Sequence, residues 1–180
     1  MAGTGRAEVT EAMKGDVMAL MERGWQDLDA RFAALDEQEL ERPVFTGEGS
    51  GWRLRDLMPH FAFWWRLAAR GARRAAEIGA APDQNTTLRA FVGVDTHFDT
   101  LNAENFARWR ERPAAEQLAE LRSALDELRG ALAELPADLL TVDDADTDGI
   151  KRYIWQPAVN HLRQHADHID AALTRKGATT

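Results

Sequence analysis

"PAAEQLAELRSALDELRGALAELP" (residues 113–136) decides the fold class of this chain. Leu118, Leu121, Leu125, Leu128, Leu132 and Leu135 recur at steps of three and four, so they share one side of an α-helix. Pro113 suits the first position of that helix, where a missing N–H costs nothing, and Pro136 stops it. Such a stripe must be buried against other elements, and the flanking sequence offers helices. On the N-terminal side, "VDTHFDTLNAENFARW" (94–109) predicts a shorter helix with Phe98, Leu101, Asn105, Phe106 and Trp109 near one side. Before it, "GAAPDQNTT" (79–87) is a break.

Two longer helices precede that break. Val17, Leu20, Met21, Trp25, Leu28, Phe32 and Leu35 predict one from about Glu8 to Leu40. Pro43 and "TGEGSG" (46–51) end it as a loop. The next runs from about Arg53 to Ile78 and is apolar nearly all round in "LMPHFAFWW" (57–65). Pro59, near its start, should bend it only slightly. The arginines of "RLAARGARRAAE" (66–77) form its wet side. After Pro136, "DDADTDG" (143–149) lacks the spaced ligands and closing Glu of an EF-hand and is expected to be a turn-rich loop. A last helix is expected from Pro157 to about Lys176. Strand signals are nearly absent. Four main amphipathic helices and a short extra one make an all-α, four-helix bundle, with residues 1–180 as a single domain.

Bulk properties narrow the function. With 180 residues the chain can bury a real core. A net charge of −8 and no sustained Lys/Arg block argue against a nucleic-acid partner. No run of 18 apolar residues and no N-terminal apolar leader is present, so a cytoplasmic protein without membrane contact is expected. With no cysteine, any metal must use His, Asp, Glu or water. "FAFWW" (61–65) offers more apolar surface than one core stripe needs, so a homodimer through this helix and the first is expected.

Three of the five histidines fall in "PAVNHLRQHADHI" (157–169). At about 100° per residue, with His161 at zero, His165 falls near 40° and His168 near −20°. Leu162, Ile169 and Leu173 share the adjoining arc; Arg163, Asp167 and Asp170 lie opposite. His161 and His165 thus border the apolar face, about 6 Å apart at Cβ. His60 sits in the apolar stripe of the Arg53–Ile78 helix, flanked by Leu57, Trp64 and Leu67. A lone buried histidine is more often a satisfied core residue. Three facing inward on two bundle helices cost several kcal/mol unless they are partnered. One shared divalent ion would serve all three, and three neutral imidazoles with an open fourth position suit a catalytic zinc site.

"GWRLRDLMPHFAFWW" (51–65) resembles the W-x-x-x-D-x-x-x-H signature that opens the second helix of the DinB/YfiT-like superfamily. "NHLRQHADHI" (160–169) resembles its closing H-x-x-x-H helix, and residues 99–136 resemble the middle of the DfsB/ClbS-like and mycothiol-dependent branches. The resemblance runs from Trp25 onward. It implies a four-helix bundle with a long crossover, often dimeric. It also implies a divalent metal, zinc or nickel, held by His60, His161 and His165. The superfamily includes thiol-dependent transferases and isomerases, whose metal binds a low-molecular-weight thiol, and self-resistance hydrolases. The chain departs from the mycothiol-dependent isomerase pattern E-x-x-x-H, since His161 stands at the Glu position. It also has "HADH" (165–168) where many members have H-R-G-Q.

The catalytic and cofactor-binding residues stay open at this level, but neighbours of the triad can be named. Asp56 is either an acceptor for an imidazole N–H or a first-turn acid favoured by the helix dipole. His168 is an outer proton carrier or a solvated residue, and its replacement by Ala is expected to leave metal binding almost untouched. His97 could approach from the short helix. Trp52, Trp64, Trp109 and Trp155 are expected in the core and pocket wall. Three functions compete: a metal-dependent enzyme acting on a small molecule, as hydrolase or thiol-dependent transferase; a metal-free small-molecule binding or self-resistance protein; and a structural dimer with a vestigial metal site.

Overall fold

The computed structural model describes residues 3–45, 51–82, 86–94, 97–140 and 157–175. The described residues are helical, with no strand beyond an isolated antiparallel bridge between Pro43 and Arg53. The chain forms the all-α bundle expected from the sequence. Its long helices are α1 (Gly3–Ala33), α3 (Leu57–Ile78), α6 (Ala114–Glu134) and α8 (His161–Thr174). Short helices α2 (Glu37–Leu40), α4 (Leu88–Val92), α5 (Phe98–Trp109) and α7 (Ala137–Leu140) lie between them.

The leucine stripe builds the centre. Leu121, Leu125, Leu128, Leu132 and Leu135 are buried where α6 packs along α3. Pro113 is the N-cap rather than the first helical residue, its carbonyl accepting from the N–H groups of Glu116 and Gln117. Helix α1 packs against α7 and α8. Gly24 allows this: a Cβ there would stand 3.0 Å from Leu162 Cδ1.

The helix expected over Glu8–Leu40 is two helices. Asp36 accepts from Glu39 N–H at 2.7 Å while Glu39 reaches back to Asp36 N–H, a capping box that restarts the chain as α2. Helix α3 begins at Leu57 rather than Arg53, after a single 3-10 turn, Leu54–Asp56. Pro59 falls in its first turn, where four N–H groups lack helical partners in any case. Gly79 ends α3 at φ +66°, a left-handed conformation that glycine adopts without a Cβ clash. The unexpected α4 follows directly after the break at 79–87, capped by Thr87 Oγ1 accepting from Ala90 N–H at 3.2 Å. The acidic loop 143–149, Trp155 and Lys176 lie outside the described residues.

The apolar surplus of "FAFWW" is partly buried within one chain. Phe61, Ala62 and Trp65 are in the core, and Phe63 and Trp64 are half-buried. Phe63 and Trp64 keep part of their surface outside the core of the single chain. The arginines of α3 do lie on its wet side: Arg66 pairs with Glu120 and Glu127 of α6, and Arg73 with Glu127. No helix among the described residues is long and apolar enough to cross a membrane.

Candidate metal centre

His60 is in the first turn of α3 and 5% exposed. His161 opens α8, and His165 follows one turn later, both half-buried. A wider π-type turn over 157–160, with Ala158 and Val159 buried, leads into α8 and seats His161. The helix proper thus starts four residues after Pro157.

The three rings converge. His161 Nε2 lies 3.0 Å from His60 Nε2 and 3.1 Å from His165 Nε2, and one ring nitrogen from each residue lies within 4.8 Å of the others. Tetrahedral ligands at about 2.0–2.1 Å from zinc would stand about 3.3 Å apart, so this spacing can hold one ion. Burial, then the charges of His161 and His165, push the His60 pKa down to about 2, with the Asn102 side chain acting the other way. Burial, then His165, lowers His161 to about 3; burial, then His168, lowers His165 to about 4. All three are therefore neutral near pH 7, the form in which an imidazole offers a lone pair.

Asp56 is not an acceptor for these rings. Its buried carboxylate accepts from Arg53 N–H at 2.8 Å, Arg53 Nε at 3.0 Å and Arg53 Nη2 at 3.0 Å. It ends the 3-10 turn just before α3 and is paired with Arg53, while Nδ1 of His60 and of His161 are buried without a partner. His97 is exposed at the start of α5 and does not line the site. His168 is exposed, but its Nδ1 stands 3.2 Å from His165 Nδ1.

A pocket of about 280 Å³ opens over the cluster, lined among the described residues by Phe45, Trp52, Trp64 and Asn102 besides the histidines. Trp52 and Trp64 are thus pocket wall, as expected. Trp109 is half-buried elsewhere, its carbonyl accepting from Gln117 Nε2 at 2.7 Å. The bridge between Pro43 and Arg53 brings Phe45 and Trp52 together, with Val44 N–H donating to Trp52 O at 2.9 Å. Trp52 stacks on Phe106 of α5 at 5.1 Å and stands edge-on to His60. Trp64 Nε1–H donates to Asn102 Oδ1 at 3.2 Å. This fixes the amide's orientation, because an indole N–H can only donate.

Phe45 and Asn102 were not found by reading the sequence. Phe45 sits in a loop whose path depends on a pairing ten residues away. Asn102 did carry a signal: it is a polar residue four positions from both Phe98 and Phe106 on the apolar side of α5.

Residues 21–143 match the mycothiol maleylpyruvate isomerase N-terminal domain family. The matched span includes His60 and ends before α8, so His161 and His165 lie beyond it. No curated protein matches the chain, and no solved structure does. The match covers more than half of the sequence and agrees with the helical architecture: the chain belongs to the mycothiol maleylpyruvate isomerase N-terminal domain family, a DinB/YfiT-like fold.

Proposed function

We propose that the protein is a metal-dependent enzyme acting on a small molecule, with a divalent transition metal, zinc or nickel, held by His60, His161 and His165. The observation that carries this reading is the meeting of the Nε2 atoms of three neutral imidazoles beside a pocket, that of His161 standing 3.0 Å from that of His60 and 3.1 Å from that of His165. Burying three imidazoles so close together is costly without a shared partner, and an ion is one that all three fit. A bound ion would supply Lewis acidity and lower the pKa of a thiol or water brought to it.

The residues around the cluster define what could approach. Phe45, Trp52 and Trp64 offer flat apolar walls, and no Lys or Arg lines the pocket among the described residues. Asn102 keeps its oxygen on Trp64, leaving its amide N–H groups as donors for a ligand oxygen. Such a pocket suits a small, flat, largely apolar molecule with one polar group.

Between hydrolase and thiol-dependent transferase, the family's name favours the thiol. The chain has no cysteine, so that thiol must be a low-molecular-weight cofactor. The proposal includes a homodimer, which sedimentation at micromolar concentration reads directly, and a cytoplasmic location. The test loads metal-free protein with zinc or nickel and supplies a low-molecular-weight thiol and an aryl electrophile. Metal-dependent conjugation, lost in His60→Ala, is the expected result. Metal loading without turnover of any thiol would leave the hydrolase reading. Tight binding of aromatic ligands without metal would favour the small-molecule binding or self-resistance reading, which the aromatic walls also suit.

A further inference from the structure

His165 differs from the other two proposed ligands in one respect. Its second ring nitrogen has a partner: Nδ1 lies 3.2 Å from His168 Nδ1, whereas Nδ1 of His60 and of His161 have none. Two nitrogens at that distance need one donor and one acceptor. For His165 to turn an Nε2 lone pair toward the cluster, its proton must sit on Nδ1. His168 must then accept through Nδ1 and carry its own proton on Nε2.

His168 is held for this task. Its ring stands edge-on to Phe45, with centroids 4.9 Å apart and planes at 77°, and Phe45 in turn meets Trp52 at 6.4 Å. The residue is exposed on the wetter edge of α8, as its helical phase predicts, yet its ring folds back onto the ring one turn earlier. Partners of this kind fix the tautomer and orientation of a metal-binding imidazole, and losing one typically weakens metal affinity 10- to 100-fold.

We infer that His168 is a positioning residue of the site: it holds His165 as the Nδ1–H tautomer and aims Nε2 at the shared point. This rests on the metal reading above. It also replaces the expectation that His168→Ala would leave metal binding almost untouched.

The test uses the full chain at pH 7.5 in wild-type, His168→Ala and His168→Asn forms. The Asn amide oxygen can accept where Nδ1 stood. Nitrogen-15 NMR of the metal-free histidine side chains should show His165 as Nδ1–H in the wild type and the Asn variant, and a changed tautomer balance in the Ala variant. Titration with Co2+ should show Kd raised about 10- to 100-fold in the Ala variant and largely restored by Asn. A wild-type tautomer or a wild-type Co2+ affinity in His168→Ala overturns the inference. A wild-type chain that takes up no Co2+ overturns the metal reading instead, and the NMR spectra of the metal-free chains then decide the His168–His165 contact alone.

Discussion

At the scale of single residues, His60, His161 and His165 are unlike ordinary histidines because the fold keeps protons off them. Their pKa values fall to about 2, 3 and 4, chiefly through burial. The unfolded chain protonates them near 6.5. Above that pH neither state carries the protons, and the histidines set no pH dependence. Below it the unfolded state binds protons that the folded state refuses, so stability falls as pH drops from about 6.5 toward 4. For the chelated protein, urea unfolding at pH 7.5 and pH 5.5 should differ by about 1.4 kcal/mol for each such histidine. His161→Ala should lose less over the same interval, and equal losses would place its ring in water. The three residues were legible because helical phase puts them on inward faces. Phe45 and the tie between His165 and His168 were not. One needs a long-range pairing, and the other depends on a rotamer, which spacing does not specify.

At the scale of elements, the regular parts were easy to read and the ends were not. The stripe of α6 repeats through six leucines, and its helix is found almost to the residue. The apolar spacing of α1 continues through Leu35, so periodicity runs on past a break made by one side-chain bond at Asp36. Asp36→Ala should cost about 1 kcal/mol through loss of that cap. Leu128→Ala, in the packed layer between α3 and α6, should cost about 2–5 kcal/mol. Calorimetry or urea melts rank the two, and a cheaper Leu128 change would contradict the core described. Gly24→Val should also destabilise, by about 1–3 kcal/mol, because the added carbons meet Leu162 beside His161. The same variant should weaken metal uptake as α8 is pushed outward. Unchanged uptake in a destabilised protein would separate the α1–α8 contact from the site.

At the scale of the whole molecule, the candidate centre joins α3 to α8 across about a hundred residues of sequence. Its two halves are also read differently, since the family match takes in His60 and stops short of α8. An ion at this joint would bind the folded chain and not the unfolded one, so metal content and stability should move together. The most direct measurement is therefore the melting temperature of tag-free protein at pH 7.5, with and without chelator, alongside elemental analysis of the same sample. The account predicts about one equivalent of zinc or nickel per chain and a melting temperature that falls on chelation and recovers with added metal. In His161→Ala the difference should vanish. A wild-type chain that carries no divalent metal, takes none up when supplied, and melts at the same temperature with and without chelator would contradict it.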